Sequence, residues 1–190
     1  DISAFSFYPG KNLGAYGDRG IITTENKNLY KRLFSLRNLG TVKKNVHKYE
    51  GLNSRLDTIQ ASVLLEKIKY SPFHNNSRRE IANYYDEELN FIDNIKLTST
   101  NPGSSRHLYV IRTKNRNKLV KFLKKKGINT QSHYPYSLNR VGALKDKIKK
   151  TNLPISERWA RECISLPIYP FMKLSDCKKI VTTIKKYFKY

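Results

Sequence analysis

Proline followed by glycine at positions 9 and 10 stops whatever regular structure precedes it. Pro9 fixes φ and has no amide hydrogen, and Gly10 frees the backbone, so an extended run that reaches them cannot continue in a sheet. The run before, Ala4 to Tyr8, is apolar and aromatic; the run after, Ile21-Ile22-Thr23-Thr24, is β-prone; Gly14, Gly17 and Gly20 punctuate the stretch between. This pattern predicts strand, turn, strand. Lys11 stands directly after the break, at the rim of the predicted hairpin. A loop lysine in a lysine-rich chain is ordinarily solvated. The alternative is a Schiff-base lysine, whose amine is nucleophilic only when neutral and so needs desolvation or a neighbouring cation. Phe5 and Phe7 before it, and Leu13 and Ala15 after it, form an apolar flank suited to that task. Spacing alone leaves both readings open.

Further along, Leu29, Leu33 and Leu36 recur at helical spacing and predict a helix over 27–39, with Asn26 as N-cap and Gly40 as C-cap. Residues 41–51 are polar and read as a loop. Ser54 or Asp57 is placed to cap a core helix through Ile59, Val63, Leu64 and Ile68. Pro72 predicts a break before a second helix over 76–89. A strand-poor linker with a turn at Asn101-Pro102-Gly103 follows. A strand over 107–113, a helix over 115–126 ended by Gly127, and a strand over 128–134 come next. Helices near 156–163 and from about 175, the latter with Ile180, Ile184 and Phe188 on one face, flank an ISLPIYP connection.

A length of 190 residues suffices for one ordinary domain with a core. Lysine and arginine number 37 against 15 acidic residues, for a net charge of +22. That excess points to a polyanionic partner, or to a lysine-rich coding bias decorating exposed faces. The lysines are scattered; only KFLKKKG (121–127) and KDKIKK (145–150) are dense, and no standard nucleic-acid motif is present, so no nucleic-acid partner is expected. Cys163 and Cys177 show no paired spacing, which argues for a reducing, cytoplasmic setting and against a disulfide framework. His47, His74, His107 and His133 lack metal-ligand spacing, so no metal is expected. No apolar run approaches membrane-spanning length, and no membrane partner is expected.

Five blocks carry a resemblance: SFYPGKNLGAYGDRG (6–20), GLNSRLDTIQASVL (51–64), HLYVIRT (107–113), HYPYSL (133–138) and LPISER…CISLPIYP (153–170). In this order and spacing they resemble the DegT/DnrJ/EryC1/StrS aminotransferases, pyridoxal-phosphate enzymes that put amino groups on nucleotide-linked keto sugars. The resemblance implies an α/β fold, the C-terminal part of a fold-type I pyridoxal-phosphate transferase: the end of the large-domain mixed sheet plus an α+β small domain. It divides the chain into a remnant of the cofactor-binding domain (1–50), connecting helices (51–90) and a small C-terminal domain (91–190). It also implies that an upstream half precedes Asp1. Without that half, the chain is expected to be marginally stable, with an exposed strand edge, and inactive alone.

By resemblance, Lys11 is the catalytic lysine that holds pyridoxal 5'-phosphate, and Ser6 is the phosphate-binding hydroxyl. Asn53 reaches across a homodimer with shared active sites to the partner's cofactor phosphate. Arg55 faces the same site, and His133 and Tyr134 line the neighbouring subunit's substrate pocket. Tyr8, two residues after Ser6 and on its face by strand alternation, is expected to border the site. The implied reaction is a ping-pong transamination from an amino-acid donor, typically glutamate, with Lys11 as general base and acid. The wording FYPGKNLGA favours a 3-keto sugar on a nucleotide diphosphate.

Arg19, Ser137, Asn139 and the pair Val141-Gly142, which stands where Gln-Pro is usual, depart from the family pattern. Arg19 stands where Gly or Ala is usual, which would strain the turn if that backbone needs φ > 0. Ser137 replaces a Pro and Asn139 a second His, so a hydrogen-bonding partner for the sugar is expected to have changed. A non-catalytic dimerising or regulatory remnant of the family, and a basic nucleic-acid-binding module, are the alternative functions.

Overall fold

The computed structural model describes residues 1–99, 101, 103–144, 148 and 151–190. The KDKIKK cluster, Ile148 apart, and Pro102 of the expected turn lie outside the described residues. The chain divides into two compact units, Asp1–Pro72 and Phe73–Tyr190.

The first unit opens with the predicted hairpin. Strand β1 (Ser3–Ser6) pairs antiparallel with β2 (Gly20–Thr23), in a register that sets Phe5 opposite Ile21 and Ser6 opposite Gly20. Helix α1 (Lys27–Leu36) begins where expected, because Asn26 Oδ1 accepts from the amides of Asn28 and Leu29 at 2.9 and 3.0 Å. It ends earlier than the leucine pattern suggests. Leu39 and Gly40 are both left-handed, at φ 59° and 71°, so the reversal starts before the glycine. Residues 41–51 are not a plain loop: β3 (Thr41–Lys43) and β4 (Val46–His47) form a small antiparallel ribbon. Helix α2 (Thr58–Ile68) forms as predicted but is not a core helix, since Leu64 is buried while Ile59, Leu65 and Ile68 are exposed.

Helix α3 (Ser71–Leu89) starts beside Pro72 rather than after it. Proline is well tolerated in the first turn of a helix, where its missing N–H has no intrahelical acceptor to lose. The second unit is a three-stranded antiparallel sheet, β5 (Lys96–Leu97), β6 (Tyr109–Arg112) and β7 (Cys163–Leu166) in that order, packed with α3, α4 (Arg116–Lys125) and α6 (Leu174–Phe188). Helix α5 (Pro154–Glu162) leads directly into β7.

The strand expected over 128–134 is not there. Gln131 alone pairs with the sheet edge, through both of its backbone bonds to Ser165, and the third strand is Cys163–Leu166. All four residues of β7 are buried, so it lacks the alternation that marks a half-exposed strand. Gly127, at φ 76°, ends α4 as expected: Ile128 N–H reaches Leu123 O and Gly127 N–H reaches Lys124 O, the two bonds of a Schellman motif.

The second unit's core joins Ile81, Tyr85 and Leu89 of α3 to Ile111, Ile164 and Ile184. Several of its buried polar groups are partnered, although Arg78 Nε and Arg116 Nε are buried without a hydrogen-bond partner among the described residues. Tyr85 Oη donates to Pro167 O at 3.0 Å and Tyr109 Oη to Asp86 Oδ1 at 2.7 Å; burial pushes both phenols above their ordinary range. The Arg78 guanidinium, which burial lowers from its usual pKa, donates to the carbonyls of His107 and Ile168. Cys163 and Cys177 are separate, buried thiols. Among the described residues, no helix is long and apolar enough to cross a membrane, and no group of His, Cys, Asp and Glu is placed to hold a metal.

Candidate functional site

In the first unit the residues about Lys11 form a closed turn. Lys11 N–H bonds Tyr8 O at 2.8 Å, with Pro9 and Gly10 at the corner. Phe7 extends the hairpin ladder by donating to Arg19 O and accepting from Ala15 N–H, both at 2.8 Å. The return strand of the loop passes so near the corner that a Cβ on Gly14 would lie 2.4 Å from Pro9 O. Only glycine permits that crossing. Ser6 Oγ accepts from Tyr8 N–H at 3.2 Å, which leaves its own proton to donate elsewhere. Strand β1 stops at Ser6, so Tyr8 sits on the turn and not on a continued strand face; its ring packs against Gly10 and is largely exposed. Lys11 itself is exposed. Of its expected apolar flank, Ala15 is buried but Phe5 is exposed, so the flank does not enclose the amine.

Helix α2 holds this loop from one side. Gln60 Oε1 accepts from Tyr16 N–H at 2.8 Å, Lys67 Nζ donates to Gly14 O, and Arg19 pairs with Asp57. Arg19 therefore does not strain the turn. Its φ lies outside the left-handed region, and its guanidinium ties the loop to the start of α2. Asp57 occupies the N-cap position but makes no side-chain cap bond; it serves Arg19 instead. Nothing in local sequence marks Gln60 or Lys67 for these roles.

Asn53 and Arg55 come together on an extended segment laid across the end of α1. Leu52 N–H bonds Leu36 O and Ser54 N–H bonds Arg37 O, satisfying carbonyls that a helix end leaves free. Gly40 and Gly51 make the crossing possible: a Cβ on Gly51 would lie 2.3 Å from Gly40 N, and one on Gly40 would lie 1.7 Å from Tyr49 O. Arg55 Nε donates to Asn53 Oδ1 at 3.0 Å. The amide N–H donors of Asn53 and the Nη donors of Arg55 then remain for an anion.

In the second unit, His133 and Tyr134 line a cleft of about 690 Å³ with Tyr136, Leu138, Ile155 and Trp159. The His133–Tyr134 peptide is cis. His133 Nδ1 lies 2.7 Å from Ser165 Oγ, and Trp159 Nε1 donates to His133 O at 3.1 Å. Tyr134 is exposed. The departures at 137 and 139 form a small network beside the cleft. Ser137 Oγ donates to Asn139 Oδ1 at 2.6 Å, and Asn139 Nδ2 donates to Thr151 O and Glu157 Oε1. Asn139 and then Arg140 hold the Glu157 carboxyl below its usual range. Asn139 thus braces α5. Ser165 and Trp159 carry no sequence signal as neighbours of His133.

The profile of the DegT/DnrJ/EryC1/StrS aminotransferase family matches residues 1–185. Over 188 residues the chain is 39% identical to the erythromycin biosynthesis sensory transduction protein EryC1 of Saccharopolyspora erythraea, covering 97% of this chain and 51% of that one. Over 189 residues it is 35% identical to a dTDP-3-amino-3,4,6-trideoxy-alpha-D-glucose transaminase of Streptomyces venezuelae, covering 98% and 50%. The crystal structure of S. venezuelae DesV in complex with a ketimine intermediate matches all of this chain and 52% of its own, at TM-score 0.94 and 35% identity. The chain spans about half the length of the curated relatives it matches. Its α/β fold is that of the C-terminal part of a fold-type I transferase, and aminotransferases of this family use pyridoxal phosphate. The chain belongs to the DegT/DnrJ/EryC1/StrS aminotransferase family.

Proposed function

We propose that this chain serves a pyridoxal-phosphate-dependent aminotransferase that transfers an amino group, from glutamate as donor, to a nucleotide-diphosphate-linked 3-keto sugar. The observation that carries the reading is the Lys11 turn, which presents a primary amine within a few residues of the Ser6 hydroxyl and is closed by the Gly14 crossing. The donor set fits the cofactor: an amine for its aldehyde, and hydroxyl and amide protons for its phosphate. When bound, the cofactor supplies the electron sink. Lys11 Nζ holds it and then moves a proton from and to the donor's α-carbon. Ser6 Oγ donates to the phosphate. Asn53 donates its amide protons to the phosphate held by the partner subunit of a homodimer, and Arg55 meets a substrate anion there. His133 and Tyr134 line the sugar pocket, with Tyr8 at the border of the cofactor site. The 3-position follows the S. venezuelae relative, whose name specifies a 3-amino sugar. The buried, unpaired cysteines suit a cytoplasmic enzyme.

Trapping tests the reading. The protein is incubated with pyridoxal phosphate, reduced with borohydride and mapped by peptide mass. One dominant adduct at Lys11 is expected; adducts spread evenly over the lysines would overturn it. Because Lys11 stands in solvent here, residues 1–190 by themselves are expected not to complete a turnover. Glutamate-dependent transamination by them alone would refute that.

A further inference from the structure

We propose that Ser165 is a positioning residue that fixes the tautomer of His133, making Nε2–H a hydrogen-bond donor for an oxygen acceptor of the substrate in the cleft. This rests on the proposed role of His133 in lining the sugar pocket.

Ser165 is 5% exposed, in the middle of a strand buried along its whole length. Both of its backbone groups are taken by Gln131, at 2.8 and 3.2 Å. Its hydroxyl lies 2.7 Å from His133 Nδ1 and, among the described residues, has no other hydrogen-bond partner. A hydroxyl carries one proton, and a buried O–H left without an acceptor costs about 1–3 kcal/mol. The proton therefore goes to the one acceptor within reach. Ser165 Oγ donates, Nδ1 accepts, and the neutral ring's own proton resides on Nε2. Had Nδ1 carried the proton, the ring would donate to Oγ and strand the serine proton in the interior.

The ring has little freedom to escape this bond, because the segment beneath it is stitched to the sheet and to α5. Gln131 pairs with Ser165, Ser132 Oγ bonds Cys163 O at 3.3 Å, His133 O accepts from Trp159, and Tyr134 O accepts from the Cys163 thiol. The Tyr134 ring packs edge-on against the imidazole at 5.3 Å between centroids. With Nδ1 committed to Ser165, Nε2 is the nitrogen left for a ligand. As a donor it selects hydroxyl, carbonyl or phosphate oxygens over a ligand N–H.

Nitrogen-15 correlation spectra of the imidazoles test this directly on the wild-type protein at alkaline pH, where the rings are neutral. The chain has four histidines, and His133→Gln identifies the signals by their loss. The expected pattern is a proton on Nε2 and a bare Nδ1. Ser165→Ala is expected to give a mixture of tautomers, and Ser165→Thr, which keeps the hydroxyl, to restore the single form. A wild-type ring protonated at Nδ1 overturns the proposal even if Ser165→Ala fails to fold; so does an unchanged pattern in a folded Ser165→Ala. In the active protein Ser165→Ala is expected to raise KM for the keto sugar about tenfold with a smaller change in kcat. If the tautomer is locked as proposed but His133→Gln leaves the sugar's kinetics unchanged, the pocket assignment of His133 fails while the positioning role of Ser165 stands.

Discussion

The two units keep their shapes by different means. Between Phe73 and Tyr190 a single apolar cluster runs from α3 through the sheet to α6, and its largest side chains are wholly buried. Between Asp1 and Pro72 the buried hydrophobic residues are Ala15 and Leu64, while Phe5, Ile21, Ile22, Phe34 and Ile59 are exposed. That first unit is shaped by backbone crossings at Gly14, Gly40 and Gly51 and by polar tethers from α2 to the Lys11 loop. Apolar burial contributes roughly 25 cal/mol per Å² and can absorb a local fault. A crossing at one glycine cannot, because a single methyl group blocks it. The difference teaches that one apolar spacing has two outcomes: in α6 it marks a core face, and in α2 it marks an exposed stripe.

The largest effect expected from this contrast is a cavity in the second unit. Ile164→Ala on β7 should cost about 2–5 kcal/mol, read by urea unfolding through Trp159 fluorescence, whereas Ile22→Ala on the exposed β2 should stay within about 0.5 kcal/mol, read by amide exchange across the β1–β2 pair. Equal costs would break the comparison. Gly14→Ala should destabilise the first unit by about 1–3 kcal/mol and abolish selective cofactor trapping at Lys11, leaving the Trp159 transition in place. Asn26→Ala should cost α1 about 1 kcal/mol, seen as faster amide exchange at Asn28 and Leu29. Arg19→Ala removes a partly exposed ion pair and should cost less than about 1 kcal/mol, with trapping at Lys11 retained. A large loss there would mean the tethers outweigh the crossings.

The smallest effect concerns pH. Glu157 has a lowered pKa in the fold, through Asn139 and Arg140, so it binds fewer protons folded than unfolded. Its contribution is present above the ordinary glutamate range and is lost as pH falls through the folded value. Glu157→Gln should therefore lower the neutral plateau of the second unit's stability curve slightly and flatten its acid limb, leaving the stability at low pH, where the carboxyl is protonated, unchanged. An unchanged acid limb would show that the bracing of α5 is not electrostatic.

Local signals were legible where the physics is local. Asn26 caps α1, Gly127 ends α4, and Ile180 and Ile184 face inward along α6. Pro9-Gly10 closes the turn that presents Lys11. Strand β7 was hidden because four buried residues in a row show no alternation. Residues 128–134 looked like a strand and meet the sheet only through Gln131. Within the candidate site, Lys11, Ser6, Asn53 and His133 are proposed on the family motifs. Gln60, Lys67 and Ser165 are not, since each meets its partner from more than 30 residues away.

By itself the sequence determined where the chain must turn: the stop before Lys11, the Asn26 cap of α1 and the glycine that ends α4. Steric exclusion and capping act within a few residues, and composition records them. The tertiary structure alone decided which apolar faces are buried, why Arg19 does not strain its turn, and which hydroxyl His133 leans on. Burial and the partner of a buried proton depend on what the folded chain brings alongside, and no local pattern encodes it.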